Sequence, residues 1–160
     1  MSLATITTLY AAFSRLDGDA MAACHAEAAR FTDEVFTLQG RQQPGGLWRM
    51  LCGATGAKAP ADWKLETSGI SEQGGRGRAH RKAHCRFSAT GRLVHHVIEA
   101  EFEFDKAGLI PRPLDRFDFW RWARQALGTP GLLLGWTRFL RAKVRAQATA
   151  DLQCFLGRPA

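Results

Sequence analysis

The sequence predicts an α+β fold in which helices cover one face of a curved, mainly antiparallel sheet. Three observations support this class. Apolar residues near the N-terminus recur every three or four positions. Residues 94–104 place Val94, Ile98, Ala100, Phe102 and Phe104 on one face and mainly polar residues on the other, and a turn signal lies on each side of that segment. A run of helices followed by a run of strands is typical of α+β domains, whose helices pack on one side of the sheet.

The first half of the chain predicts two helices before any strand. Leu3 to Leu16 has the spacing of an amphipathic helix, and Asp19 is expected to cap a short second helix that ends near His25. The next expected elements are a strand over 29–36, a loop over 40–46, a helix over 47–54, a flexible connection over 53–60 and a strand over 62–71.

Residues 76–122 predict three extended segments joined as an antiparallel meander. Val94 to Phe104 gives the clearest pattern, and the turns Thr90-Gly91 and Lys106 to Gly108 flank it. Residues 128–131 contain two glycines and a proline, which indicates that one element ends there and another begins. Residues 132–155 then predict one C-terminal helix. A curved sheet closed by helices leaves a cavity of the kind in which small ligands bind.

Length and composition indicate one domain with its own core. The chain has 160 residues and is 46% hydrophobic, and no run approaches the roughly 20 apolar residues that a membrane span needs. We therefore expect a soluble, cytoplasmic protein without a secretion signal. The four cysteines are far apart and form no CxxC pair, which favours free thiols over a disulfide framework or a zinc site.

The net charge of +7 is carried by two basic stretches, 76–96 and 112–145. Such a balance can attract nucleic acid or anionic lipid. No nucleic-acid-binding motif accompanies the charge, so nucleic acid is not the favoured partner. A basic amphipathic helix at the C-terminus can lie on a membrane surface, although packing on its own domain or on a dimer mate is the more usual arrangement.

The chain resembles a known superfamily over residues 3–128. The segments that carry the resemblance are YAAFSRLDGDAMAACHAEAARFTDEVF, a helix with a Trp, GRGRAHRKAHCRFSATGRLVHHVIEAEFEFDKAGLI and DRFDFWRW. They are similar to the nuclear transport factor 2-like superfamily, and most of all to its SnoaL-like group, which includes polyketide cyclases and lies near ketosteroid isomerase. The resemblance implies a cone-shaped barrel over 1–128, a helical extension over 129–160, and commonly a dimer formed through the outer sheet face.

The resemblance to ketosteroid isomerase suggests Asp33 as a general base, because Phe31 to Val35 matches the segment that holds the base in that enzyme. The oxyanion partners are not carried over. By gapless counting, Leu9 occupies the tyrosine position, one residue before Tyr10, and Ala100 occupies the acid position. Without those donors a developing enolate would lose its main stabilisation, so steroid isomerisation is not expected.

Asp115 matches the acid of a His-x-Asp pair that many SnoaL-like relatives carry. Pro113 stands where the histidine is expected. Proline can neither transfer a proton nor donate a backbone hydrogen bond, so the usual dyad is absent.

Two polar residues, Arg81 and His96, share a strand face with apolar neighbours and are expected to point inward. A buried guanidinium needs a carboxylate or a ligand anion, so Arg81 either binds a ligand, holds Asp33 or Asp115 ionised, or forms a structural ion pair. His96 is either a proton-transfer group or a satisfied core residue. The outward-facing histidines (His80, His84 and His95) cannot converge with His96, so no metal site is expected.

These features leave three functions open. The first is a cofactor-independent isomerase, lyase or cyclase that acts on a small apolar molecule, with catalytic candidates Asp33, His96, Asp115 and Arg81. The second is a non-catalytic ligand-binding or interaction module, and the third is membrane or nucleic-acid binding through the basic C-terminal helix. A homodimer is expected, and the residues expected to line the pocket are Tyr10, Phe31, Trp48, Trp63, Phe87, Phe102 and Phe117.

Overall fold

The structure is a computed structural model that describes residues 2–58 and 60–158. One six-stranded sheet with strand order β2-β1-β6-β5-β4-β3 is covered by helices. The elements are α1 Ser2–Ser14, α2 Gly18–Ala23, β1 Arg30–Thr32, β2 Thr37–Gln39, α3 Gln42–Lys58, a single 3₁₀ turn Pro60–Asp62, β3 Lys64–Gln73, β4 Arg76–Arg86, β5 Leu93–Glu103, β6 Arg112–Arg116, α4 Phe119–Leu127, α5 Thr129–Leu134 and α6 Arg138–Leu156.

The predicted meander forms the centre of the sheet. Strands β4 and β5 pair antiparallel along their whole length, from Arg76 opposite Glu103 to Arg86 opposite Leu93, and β6 pairs antiparallel with β5. Among the described strands, β1 and β6 alone pair in parallel. The α+β class is confirmed, with a curved sheet that does not close on itself.

Alternation along β4 and β5 determines which side chains face the core. On β5, Val94, Ile98, Ala100 and Phe102 are buried while Glu99 is exposed. Helix α1 packs against this face, and a Cβ added at Gly77 of β4 would come within 2.6 Å of Ile6 Cδ1. Helices therefore cover the inner face of the sheet, as predicted.

Local interactions change several predicted boundaries in the N-terminal half. Asp17, not Asp19, caps α2, because its side chain accepts from the Ala20 amide at 3.0 Å. The strand predicted over 29–36 is instead a β1–β2 hairpin that turns at Asp33. The expected loop over 40–46 and the expected connection over 53–60 are largely helical, since α3 runs from Gln42 to Lys58.

The unexpected length of α3 has a packing cause. Gly45 and Gly46 are buried, and a Cβ on Gly46 would overlap the Leu156 side chain of α6. Glycines lower helix propensity, but here they allow close approach of a neighbouring helix, and tertiary packing decides the outcome.

The segment after β6 is also more helical and more divided than predicted. The third extended segment ends at Arg116, and Asp118 caps α4 by accepting from the Arg121 amide. The helix predicted over 132–155 is two helices, α5 and α6, and Thr137 caps the second by accepting from the Leu140 amide. Within the described ranges, no helix combines the length and apolarity needed to cross a bilayer.

Gly131 is expected to be essential for the packing of α5 on α4. A Cβ at this position would overlap the carbonyl group of Ala123, so Gly131→Ala forces the helices apart and should lower the free energy of unfolding by about 1–3 kcal/mol. Urea denaturation measures the change. Gly53→Ala is the matched control: a Cβ there has no neighbour within 4 Å, so this helical substitution should stabilise by about 0.5–1 kcal/mol. Equal effects of the two variants would contradict the prediction.

Candidate functional site

A buried ion pair lies at the centre of the inner sheet face. Arg81 stands in the middle of β4 opposite Ile98, and its Nη2 donates to Oδ2 of Asp115 on β6. The two residues are only 5% and 3% exposed. Burial raises the pKa of Asp115, and the Arg81 guanidinium opposes this rise. Because a guanidinium stays charged when buried, the pair places a fixed positive charge inside the fold.

Aromatic rings surround the Arg81 guanidinium. Its Cζ lies 5.6–5.9 Å from the ring centroids of Phe13, Tyr10 and Trp48. Ring faces attract a cation, and this attraction increases when water is excluded. The surroundings of the guanidinium are thus one carboxylate and three aromatic groups, all on the helix-covered side of the sheet.

Asp33 stabilises a backbone turn and also interacts electrostatically with Arg81. Its Oδ1 accepts from the amides of Val35 at 2.7 Å and Phe36 at 2.5 Å, which fixes the β1–β2 turn. Burial raises the pKa of Asp33 to about 6, although these two amides lower it; the nearby Asp115 raises it further and Arg81 lowers it. Asp33 therefore lies within the electrostatic field of the Arg81–Asp115 pair and titrates close to neutral pH.

Several polar atoms around the ion pair have no hydrogen-bond partner. Among the described residues, those in the Arg81 cluster are Tyr10 Oη, Trp48 Nε1 and Arg81 Nε. Burial raises the pKa of Tyr10 to about 12, so its hydroxyl remains a proton donor at neutral pH. Tyr10 also lies close enough to the Arg81 guanidinium for that group to lower its pKa, so the two side chains act on each other directly. Because buried polar groups are almost always satisfied in native proteins, the unpartnered donors Trp48 Nε1 and Arg81 Nε favour a bound water or ligand beside the ion pair.

His96 faces inward as predicted and borders the cluster. Its ring meets Phe117 edge-on at 4.4 Å, and its buried Nε2 has no partner in the described structure. Burial lowers the pKa of His96 to about 3, and the Arg81 charge contributes to the shift. The imidazole is therefore neutral at physiological pH and can accept or donate one hydrogen bond.

The other histidines of this region lie on the outer sheet face, as expected. His84 and His95 stack there with 4.1 Å between ring centroids, and His80 pairs with Glu99. Within residues 2–58 and 60–158, no three His, Cys, Asp or Glu side chains come together to form a metal-binding group.

A cleft of about 190 Å³ opens between the end of β6 and helix α4, and His96 and Phe117 are among its lining residues. It exists because β6 pairs only with the second half of β5. Beyond that point the side chain of Gln125 replaces the missing strand: it accepts from the His95 amide at 2.8 Å and donates to the His95 carbonyl at 3.3 Å. Nothing in the sequence indicated this role for Gln125.

The residues predicted to line a pocket fall into two groups. Four lie in the core that encloses the ion pair: Tyr10, Phe31, Trp48 and Phe102. Two lie beside Trp122 near the cleft: Phe87 and Phe117. Trp63 packs on Phe13 at 4.8 Å and donates its Nε1 to the Ser14 carbonyl. Their contact with a ligand remains a prediction.

A larger groove of about 680 Å³ crosses the outer sheet face. Its charged lining residues are Arg30, Arg76, Arg78, Arg112, Glu101 and Glu103. Arg112 and Glu103 pair at 3.3 Å, and the charged side chains here are largely open to water. Solvated charges hold a ligand weakly, so the buried cluster around Arg81 is the stronger candidate site.

Comparison with solved structures identifies the fold. An LEH-like epoxide hydrolase from M. tuberculosis aligns over 82% of this chain and 92% of its own, with 18% identity and a TM-score of 0.60. A protein with a ketosteroid isomerase-like fold from Catenulispora acidiphila, solved with trimethylamine, aligns over 83% and 96%, with 15% identity and a TM-score of 0.62. A candidate polyketide cyclase from Xanthomonas campestris aligns over 78% and 95%, with 19% identity and a TM-score of 0.60.

These structures define the fold of the chain. The chain has the nuclear transport factor 2-like fold, and the resemblance found in the sequence is confirmed at the level of the fold. No protein-family model and no curated protein sequence matches the chain. At identities this low the fold does not determine the activity, which must be inferred from the side chains of the site.

Proposed function

We propose that this protein is a cofactor-independent enzyme. It would remove a proton from a small apolar substrate that carries one oxygen-containing group, such as a carbonyl, and return the proton to the same molecule. The observation that carries the proposal is the cluster of Asp33, Arg81, Asp115 and Tyr10, in which an acid that titrates near neutral pH accompanies a buried cation and a buried hydroxyl donor. Strongly perturbed groups that act on each other in an apolar setting are typical of active sites.

In this proposal Asp33 is the base. A pKa of about 6 leaves most of the carboxylate ionised at pH 7 and still basic enough to take a proton. Oδ1 is occupied by the two turn amides, so Oδ2 is the oxygen that receives the proton. The turn thus holds the carboxylate in one orientation.

Arg81 and Tyr10 stabilise the negative charge that develops on the substrate oxygen. When Asp33 removes a proton from the carbon next to a carbonyl, the electron pair of the C–H bond forms a C=C bond and the oxygen becomes anionic. The fixed positive charge and the hydroxyl donor favour that anion over the neutral substrate. Where a C=C bond adjoins that carbon, the negative charge extends over it, and return of the proton from Asp33 to the far carbon of that bond completes an isomerisation. Asp115 keeps Arg81 in place.

The proteins of similar structure support this reaction class, since they include a protein with a ketosteroid isomerase-like fold, a candidate polyketide cyclase and an epoxide hydrolase. An epoxide is a second possible oxygen function, in which the same base would activate water. In this proposal a small ring compound enters through the cleft that His96 and Phe117 line.

The test is hydrogen exchange on a panel of small apolar ketones in deuterium oxide. We expect wild-type protein to introduce deuterium at the carbon next to the carbonyl, detected by mass spectrometry, faster than buffer does. Epoxides are tested in ¹⁸O-labelled water for diols that carry the label. Protein that binds panel members, as seen by ligand-detected NMR, without exchange or hydrolysis would overturn the enzymatic proposal and leave the binding module.

A non-catalytic ligand-binding module is the second candidate, and one observation favours it. Asp33 already accepts two backbone hydrogen bonds and Arg81 is already paired, so both charges have structural partners without any substrate. The unpartnered donors would then hold the oxygen of a ligand that is not converted.

A further inference from the structure

The C-terminal helices expose an unusual concentration of large apolar side chains. Trp136 and Phe139 are 72% and 71% exposed, and Leu133 is 61% exposed. Three more belong to the same patch: Leu132, Leu134 and Trp120. We call these six residues the apolar tip.

The residues of the apolar tip lie on successive helices that contact one another, α4 with α5 and α5 with α6. The Trp120 Nε1 of α4 donates to the Leu132 carbonyl of α5 at 3.1 Å, and the Trp136 Nε1 donates to the Leu133 carbonyl at 2.9 Å. Phe139 is the second residue of α6 and follows Trp136 by three positions. Monomeric soluble proteins rarely expose so many large apolar groups side by side, and such patches mark a surface that binds something.

The net positive charge of the chain is concentrated in the same helices. Residues 119–158 contain seven of the 22 Lys and Arg residues and one of the 15 acidic residues, a net charge of +6 out of the total of +7. Arg124 lies over the Trp120 ring, with its Cζ 5.4 Å from the centroid. In the described structure Arg138 and Lys143 make no ion pair, so their charges are free to meet a partner.

We propose that the apolar tip inserts into the surface of a membrane that contains anionic lipid, with the surrounding cations on the headgroups. Exposed Trp, Leu and Phe next to Arg and Lys are the combination that binds in the interfacial plane of a bilayer. Long basic side chains can extend to the headgroups while the apolar groups enter the acyl region. In this arrangement the helices lie along the membrane surface, and only the exposed apolar side chains enter it.

The charge pattern favours lipid over a second copy of the chain. A two-fold interface brings the same patch of each subunit together, so the cations around the tip would oppose their own copies. With Asp151 as the only acid in residues 119–158, such an interface would have few compensating charges. Nucleic acid would match the charge but not the exposed leucines, because phosphates offer them no apolar contact.

Vesicle flotation tests the proposal with the full chain. We expect wild-type protein to float with vesicles of phosphatidylcholine and phosphatidylglycerol and to bind at least roughly tenfold less to phosphatidylcholine alone. The double variant Trp136→Ser/Phe139→Ser should bind the anionic vesicles roughly tenfold or more weakly, because two apolar insertions are lost. Arg138→Gln/Lys143→Gln should reduce the preference for anionic lipid.

The matched control removes exposed apolar groups elsewhere. Leu3 and Leu51 are 47% and 40% exposed on α1 and α3, so Leu3→Ser/Leu51→Ser should float like wild type. Circular dichroism confirms that each variant is folded. Equal loss in the control, or no flotation of folded wild-type protein, would refute the proposal.

Sedimentation and nucleic-acid binding complete the test. If wild type is a dimer that fails to float and Trp136→Ser/Phe139→Ser makes it monomeric, the tip is a subunit interface and the membrane proposal is wrong. Binding to nucleic acid that survives that substitution, without flotation, would likewise overturn it. None of these outcomes depends on the proposed reaction.

Discussion

Replacing Arg81 with methionine is expected to lower the free energy of unfolding by about 3–5 kcal/mol at pH 7. The substitution leaves Asp115, which is 3% exposed, without its cation in an apolar setting. Urea denaturation with circular dichroism measures the loss. The loss should shrink as the pH falls, because a protonated Asp115 no longer carries an uncompensated charge.

A double variant separates the ion pair from the shape of the site. In Arg81→Met/Asp115→Leu both charges are replaced by apolar groups, and replacing a buried pair in this way is often neutral. We expect the double variant to be more stable than Arg81→Met alone by about 2 kcal/mol or more. If Arg81→Met instead costs less than about 1 kcal/mol, the charge of Asp115 is relieved either by water or by protonation of the carboxyl. Only protonation would also make the loss smaller at pH 5 than at pH 7.

Asp33→Asn is expected to abolish the proposed reaction while making the protein more stable above pH 6. Loss of a general base typically reduces turnover about 10²–10⁴-fold. The amide oxygen of Asn can still accept from the Val35 and Phe36 amides, so the β1–β2 turn is retained. Deuterium incorporation into a substrate ketone measures the catalytic loss.

The stability change follows from the direction of the pKa shift. Folding raises the pKa of Asp33 from its usual value of 3.8 to about 6. The stability associated with its protonated form is therefore fully present below about pH 4 and is lost as the pH rises through about 6. Asparagine does not ionise and avoids this loss, which amounts to at most about 3 kcal/mol for a shift of this size. Denaturation at pH 4 and pH 8 measures the difference.

Asp17→Asn is the matched control for Asp33→Asn. Asp17 also accepts a backbone amide, as the cap of α2, but lies outside the Arg81 cluster. It should leave turnover unchanged at every pH. Turnover by Asp33→Asn within a factor of about two of wild type would remove Asp33 from the base role, and a loss of stability at pH 8 would show that its carboxylate is not penalised by burial.

The sheet was largely predictable because a period of two fixes the direction of every side chain once one face is known. That rule placed Arg81 and His96 inward and His95 outward, as the structure has them. It also brought Asp115 into consideration as a partner for Arg81, and the two are hydrogen-bonded.

The helices were less predictable because one residue of offset rotates a side chain by about 100°. Counting back from Asp33 placed Leu9 at the tyrosine position, yet the Tyr10 ring is the one that packs 5.9 Å from the Arg81 guanidinium. The break between α5 and α6 depends on Gly135 packing against Trp120, a contact that sequence spacing does not contain. The role of Gln125 likewise depends on where β6 ends.

The open sheet leaves two edge strands, and their shape bears on how the protein behaves at high concentration. On β3 the register slips between Ser68 and Ser71, where Gly69 has a φ of 59°, and Lys64 and Glu66 add charge to the same strand. A bulged, charged edge is a poor template for strand addition by another molecule. The opposite edge, β2, has only three residues. The sheet is thereby protected from edge-to-edge aggregation into fibres, even though it never closes into a full barrel.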